Sequence, residues 1–251
     1  MRVLSVNHGP TVPGGVFDEA VEARGHLLER WQVPDGGSPD PASSYDAVMV
    51  FGGSQHPDQD DRFRWLAHEE AFLRDVLAAG VPVFGVCLGS QMLARASGAA
   101  VGPAREPEIG WLDVSLTPAG AEDPVLGTLP SPAMVFQWHH YVFGLAPGAS
   151  ALAESAVCLQ AFRLEGLPAW GIQFHAEVTG PMVNAWIAED PGEEELPMPG
   201  AVLREESARR MAQSNAQGRA LADAFLREAE ARAALQSLGA TSSTTSAAAE
   251  A

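Results

Sequence analysis

Positive charge is scarce in this chain. Fifteen lysine and arginine residues stand against 32 aspartates and glutamates, leaving a formal net charge of -17 at pH 7. Nothing so acidic could neutralise a run of phosphates, so nucleic acid is excluded as a partner. No stretch approaches the roughly 20 consecutive apolar residues that a membrane span needs, which argues against a membrane protein. Cysteine is almost absent: the two that occur, Cys87 and Cys158, are too far apart in sequence for a C-x-x-C pair or any comparable metal-ligand spacing, and they suit a reducing compartment. A Walker-type phosphate loop and internal repeats are also missing. The opening residues, Met1-Arg-Val-Leu-Ser-Val-Asn-His8, run into a strand pattern and not a secretory leader, so a cytoplasmic location is expected. Apolar residues, at 46% of 251, are numerous enough for a substantial core.

The most informative stretch is Val81-Pro-Val-Phe-Gly-Val-Cys87-Leu-Gly-Ser-Gln91. Val81 to Val86 reads as a buried parallel strand and Gln91 to Ser97 as a helix closed by Gly98, with Cys87 in the turn between them. Gly85 and Gly89 flank the cysteine two residues to either side, the Gly-x-nucleophile-x-Gly spacing of a nucleophile elbow with sulfur in place of a serine hydroxyl. Such a turn presents the side chain beyond the sheet and at a helix N-terminus, where the helix dipole and unpaired amides favour a thiolate.

Strand and helix alternate through the first hundred residues. Strands are expected at Arg2–Val6, Ala47–Phe51 and Val81–Val86, and helices at Val16–Trp31 and Phe63–Ala79, with Asp35–Ser44 as a loop. Near-continuous apolar strands in this order predict an α/β fold: a flavodoxin-like open parallel sheet flanked by helices. Ligands bind such sheets beyond the carboxyl ends of the strands, where Asn7-His8, Gly52-Gly53 and Cys87 fall. From Ala99 onward five short strands are expected, at Trp111–Leu116, Ala133–Trp138, Ser150–Glu154, Val157–Leu164 and Ala169–Phe174. Their spacing suggests a small antiparallel β portion joined to the parallel sheet. A helix at Gly180–Ala188, a solvated loop at Asp190–Gly200 and one or two helices over Ala201–Leu235 complete a single domain at 1–235. The composition of 236–251, mostly Ala, Ser and Thr, predicts an unstructured tail.

A cysteine nucleophile needs a base, and the base needs an orienting partner. Trp170-Gly-Ile-Gln-Phe-His175-Ala-Glu177 offers both at the end of an apolar strand. Two residues apart on extended backbone, His175 and Glu177 leave the same face, so the carboxylate can fix the imidazole tautomer and stabilise its imidazolium. His139-His140 lacks a third ligand at a suitable spacing, so no metal is expected. Cys158 has no flanking glycines and reads as an ordinary strand residue.

In combination, Gly52-Gly53, Val86-Cys87-Leu-Gly-Ser-Gln91 and Gly171-Ile-Gln-Phe-His175-x-Glu177 resemble the class I glutamine amidotransferases, the family with a Cys-His-Glu triad. The likeness covers roughly Met1 to Leu226. Supporting segments, Glu108-Ile-Gly-Trp111, Phe136-Gln-Trp-His139 and Gln160-Ala-Phe162, are similar to stand-alone proteins related to the amidotransferase domain of GMP synthase. Two departures stand out: Ala176 replaces the proline of the usual His-Pro-Glu, and Trp138-His-His-Tyr141 replaces a Trp-His-small-Asp segment.

The resemblance implies that the Cys87 thiolate attacks the γ-carboxamide carbon of glutamine, with His175 as acid and base and Glu177 orienting it. It also implies an oxyanion held by the Gly53 and Leu88 N–H groups, close backbone approach at Gly52, Gln91 beside the substrate and His139 shaping the pocket. No cofactor is implied. Three functions remain open. The first is a glutaminase that passes ammonia to a separate synthetase subunit, the second a stand-alone γ-glutamyl peptide or conjugate hydrolase with the same triad. The third is a non-enzymic regulatory protein on this scaffold.

Overall fold

In the computed structural model the backbone is described for residues 1–189 and 196–247, and side chains within these ranges as far as residue 237. Nine strands form one sheet. In chain order they are β1 (Arg2–Asn7), β2 (Leu27–Gln32), β3 (Ala47–Val50), β4 (Val83–Val86), β5 (Val101–Leu116), β6 (Ala133–Phe143), β7 (Ala149–Glu154), β8 (Leu159–Leu164) and β9 (Ala169–Ile172). Across the sheet the order is β2-β1-β3-β4-β9-β8-β7-β5-β6. The first five of these are mutually parallel, and every pairing beyond β9 is antiparallel. This is the expected parallel sheet with an antiparallel extension. Helices α1 (Gly15–Ala23), α2 (Trp65–Ala79), α3 (Leu88–Ala96), α4 (Pro118–Glu122), α5 (Gly180–Glu189) and α6 (Gly200–Ala247) flank it.

The parallel strands are buried on both faces, and alternation along each strand divides its side chains between two cores. Ala47, Met49 and Phe51 join Phe84, Val86, Phe17 and Phe225 on one side of the sheet. Val48, Val50 and Val83 join Leu66, Leu73, Val76 and Met92 on the other. At roughly 1.5–3 kcal/mol for each fully buried large apolar side chain, both faces of the parallel sheet supply stabilisation. A third cluster, with Trp111, Phe136, Trp186 and Leu203, lies where the antiparallel strands meet α5 and α6.

Four expectations need correction. Leu27–Trp31 is not the end of a helix but β2, the edge strand parallel to β1. Gly25, at φ 73, ends the preceding helix in a conformation that glycine adopts without strain. β5 begins ten residues earlier than the apolar pattern suggested, because Gly102, Pro103 and Pro107 obscure it; its pairing with β6 is irregular between Pro103 and Glu108. α3 starts at Leu88, directly after the cysteine, and not at Gln91. α6 is one helix whose backbone runs to Ala247, past the boundary expected at 236; its alanine-rich stretch before that boundary favours helix, and the helix continues through the Ser/Thr-rich residues that follow. Most of the loop expected at 190–200 lies outside the described residues, as do residues 248–251. Among the described residues no helix is long and apolar enough to cross a membrane.

Candidate active site

Four neighbouring parallel strands, β1, β3, β4 and β9, end on the same edge of the sheet, and each is followed by one of the sequence-selected groups. Registered pairs run Val6 to Val50, Val50 to Gly85, and Gly85 to Gly171. His8, Gly52-Gly53, Cys87 and His175 follow as each chain leaves the sheet. The Cys87 N–H donates to the Ile172 carbonyl at 2.9 Å, tying the β4 turn to the strand that leads into His175. Parallel pairing of β4 with β9 thus brings together residues far apart in sequence.

Cys87 caps α3 with φ 51 and ψ -112, and it is the one non-glycine residue with positive φ among those described. Its carbonyl accepts the Ser90 hydroxyl at 2.7 Å and the Gln91 N–H at 3.0 Å. Both flanking glycines are sterically required. A Cβ at Gly85 would lie 2.7 Å from the Gly89 carbonyl oxygen, and one at Gly89 would lie 2.1 Å from that of Val50. The local sequence therefore holds the cysteine in a conformation that an L-residue rarely adopts, the kind of strain that collects at reactive positions. Leu88, as the first residue of α3, has no carbonyl of its own helix to receive its N–H.

His175 leaves the sheet edge through an isolated bridge to Phe136, donating its N–H to the Phe136 carbonyl at 2.8 Å. Its Nδ1 lies 2.8 Å from Glu177 Oε1, and both side chains are buried. With Nδ1 so engaged, Nε2 is the nitrogen left for the sulfur. Burial alone would push the imidazolium down, but the Glu177 carboxylate and then the Cys87 sulfur outweigh it and raise His175 to about 10. The Trp186 ring meets the imidazole edge to face at 4.8 Å. Behind the pair the backbone is clamped. Val16 donates to the Glu177 carbonyl at 3.0 Å, Asn215 of α6 donates to the Val178 carbonyl at 2.8 Å, and a Cβ at Gly218 would fall 2.0 Å from the Ala176 oxygen. Packing against α1 and α6 supplies the rigidity that a proline at 176 would otherwise provide.

A cleft of about 470 Å³ opens over these groups, and its lining includes His8, Gly53, Cys87, Trp138, His175, Trp186 and Glu189. Two sequence-selected residues lie elsewhere. Gln91 is buried, donating to the Tyr141 carbonyl at 2.8 Å and to Gln173 Oε1 at 3.1 Å. His139, expected to shape the pocket, instead places Nε2 3.3 Å from Glu108 Oε2. Alternation along β6 explains the difference, since Phe136 and Trp138 face the aromatic cluster at the cleft while Gln137 and His139 face the other side. Conversely, Trp186 and Glu189, both from α5, line the cleft although no sequence motif marks them. His8, whose place at the end of β1 puts it at the mouth of the site, does line the cleft.

Among the described residues, the set Glu108, His139 and Cys158 has metal-ligating donor atoms within 4.8 Å of one another. Glu108 Oε2 already receives the Gln160 amide at 2.8 Å, the Ser155 hydroxyl at 3.1 Å and the Cys158 thiol at 3.4 Å. Burial and the neighbouring carboxylate push that thiol up to about 12, so it stays protonated and donates. Hydrogen-bond donors surrounding a single carboxylate oxygen make this a polar knot between β5, β6 and β8.

Comparisons with known proteins point to one family. Residues 19–188 match the family model for glutamine amidotransferase class-I. The glutamine amidotransferase-like protein YfeJ of Salmonella typhimurium is 34% identical over 192 residues, covering 74% of this chain and 80% of that one. One subunit of the glutamine-hydrolysing GMP synthase of Ignicoccus hospitalis is 32% identical over 167 residues, 65% of this chain and 82% of that one. A glutamine amidotransferase crystal structure from Thermotoga maritima superposes with a TM-score of 0.82 at 27% identity, covering 90% of this chain and 97% of that one. The chain belongs to the class I glutamine amidotransferases.

Proposed function

We propose that the protein is a glutaminase working through Cys87, His175 and Glu177. The observation that carries this reading is the meeting, at the ends of adjacent strands, of a strained cysteine at a helix N-terminus with a buried His–Glu pair. The thiolate attacks the γ-carboxamide carbon, and the carbonyl π electrons move onto oxygen. Backbone N–H groups of Gly53 and Leu88 hold that oxyanion; in other hydrolases, loss of one such donor costs on the order of 3 kcal/mol. The tetrahedral intermediate collapses as the imidazolium of His175 protonates the departing nitrogen, which leaves as ammonia from a γ-glutamyl thioester. His175, now neutral, removes a proton from water attacking the thioester and returns it to the sulfur as glutamate departs. Glu177 keeps Nδ1 protonated throughout, so that Nε2 shuttles the proton.

Ammonia passed to a synthetase on another chain would complete an amidotransferase, a role supported by the likeness to one component of GMP synthase and by the lack of a phosphate-binding loop here. The cleft favours a second reading. At about 470 Å³ it falls in the range of roughly 300–1,000 Å³ that accommodates whole small-molecule ligands, leaving room over Cys87 and His175, against the paired Trp138 and Trp186 rings, for a leaving group larger than ammonia. A γ-glutamyl amide hydrolase would use the same steps with an amine as leaving group. The test is to incubate the protein with glutamine and with a panel of γ-glutamyl amides and dipeptides, measuring glutamate and ammonia or amine, beside Cys87→Ser. Turnover of glutamine that vanishes in the variant supports the glutaminase. Turnover of conjugates with glutamine inert supports the hydrolase, and no turnover of either overturns both.

A further inference from the structure

His8 and Glu69 form a buried ion pair beside the cleft to which the proposed steps assign no role. Both side chains are fully buried, with His8 Nε2 2.9 Å from Glu69 Oε2 and the imidazole stacked on Trp65 at 5.3 Å. The other ring nitrogen, Nδ1, lies 3.0 Å from the carbonyl oxygen of Gly52. We propose that His8 is a positioning residue for the oxyanion site. Anchored by Glu69, it holds the Gly52–Gly53 peptide unit so that the Gly53 N–H is aimed at, and polarised for, the developing negative charge. This inference rests on the glutaminase reading and extends it to a group that does not touch the reacting atoms.

The Gly52 carbonyl and the Gly53 N–H belong to one rigid peptide plane. A donor bound to the oxygen therefore fixes the direction of the N–H. It also draws electron density toward the oxygen, which strengthens the N–H as a donor, the cooperativity expected of linked hydrogen bonds in a low-dielectric interior. His8 is suited to this work because it faces acceptors at both nitrogens, a carbonyl and a carboxylate. Both are satisfied at once when each nitrogen carries hydrogen. Burial alone would push the His8 imidazolium down, but Glu69 and the backbone carbonyl outweigh it and raise it above its ordinary value. With both side chains closed to water, no solvent competes for either hydrogen bond. The fit is tight on the other side too. A Cβ at Gly53 would lie 2.8 Å from His8 Cβ and 2.7 Å from Leu88 Cδ2, so the loop is held between the residue that orients it and the one that follows the nucleophile.

The test compares two reactions of Cys87 in His8→Gln, Glu69→Gln and the double variant His8→Phe with Glu69→Leu. The double variant leaves no lone charge in the core and so guards against simple unfolding. Hydrolysis of glutamine, or of whichever γ-glutamyl amide the wild type turns over, develops an oxyanion; alkylation by iodoacetamide is a direct displacement of iodide at carbon and does not. The expected result is a kcat lowered about 10-fold or more in His8→Gln and the double variant, with KM changed about 2-fold or less, as for an interaction made only in the transition state. Glu69→Gln, which still lets a neutral His8 donate to Gly52, should fall between these and the wild type, and alkylation of Cys87 should keep its wild-type rate in all three. Unchanged kcat, or alkylation falling in step with kcat, would overturn the proposal. Failure of the glutaminase reading looks different: the wild type itself hydrolyses no γ-glutamyl amide while its Cys87 alkylates normally, and the proposal falls with it.

Discussion

Replacing the nucleophile measures the strain of the elbow separately from its chemistry. At φ 51 and ψ -112, Cys87 lies outside the regions that an L-residue occupies comfortably. Conformations of this kind cost of the order of 1–3 kcal/mol, and glycine escapes the cost because it has no Cβ. Two effects oppose the gain. Losing a Cβ widens the unfolded ensemble by about 0.4–1 kcal/mol, and it forfeits the burial of one methyl group, about 0.8 kcal/mol. If the strain lies in the upper part of its range, the balance makes Cys87→Gly about 1 kcal/mol more stable than Cys87→Ala. For a chain of this size that is a Tm higher by roughly 2–4 °C in differential scanning calorimetry. The control is Ala67→Gly, at an exposed position within α2, where ordinary helix propensity should lower Tm by a similar amount. A Cys87→Ala protein melting at or above Cys87→Gly would refute a strain in the upper part of that range.

Gly52→Ala would place a Cβ 3.1 Å from His175 Cε1, tight enough to push the imidazole aside, so kcat should fall about 10-fold or more with Tm changed by about 2 °C or less. The raised pKa of His175 predicts a pH dependence of stability. The folded state keeps a proton that the unfolded state releases, so the contribution is complete below the ordinary value of 6.5 and is lost as pH rises toward about 10. Between those limits the wild-type Tm should decline more steeply than that of Glu177→Gln, and NMR of the His175 ring should show its titration moving to lower pH in the variant; identical slopes and titrations would contradict the assignment. Cys158→Ser keeps a donor to Glu108 and changes nothing in the cleft, so its kcat should stay within about 2-fold of wild type.

What the sequence makes legible here is what steric necessity writes into it. Gly85 and Gly89 are forced by backbone contacts, and both can be read without coordinates. So can the unbroken apolar runs of β3 and β4, because burial on both faces demands them. Leu27–Trp31 misleads because Leu27, Leu28 and Trp31 also suit a helical face; only pairing with β1 decides, and pairing is not local. The polar partners are harder still. His8 meets Glu69 across 61 positions and Gly52 across 44, contacts that no spacing rule anticipates. His139 is the opposite case. The strand expected at Ala133–Trp138 stops short of it, whereas β6 runs to Phe143, and alternation along it sets His139 on the face opposite Trp138, which lines the cleft.

One covalent intermediate is central to the proposed chemistry. Protein mixed with its γ-glutamyl substrate, quenched in acid within the first turnover and digested for mass spectrometry, should carry one γ-glutamyl group on the peptide containing Cys87. That adduct should persist longer in Glu177→Gln and be absent from Cys87→Ser. Release of ammonia or amine with no adduct on Cys87, or with the adduct on Cys158, would contradict it.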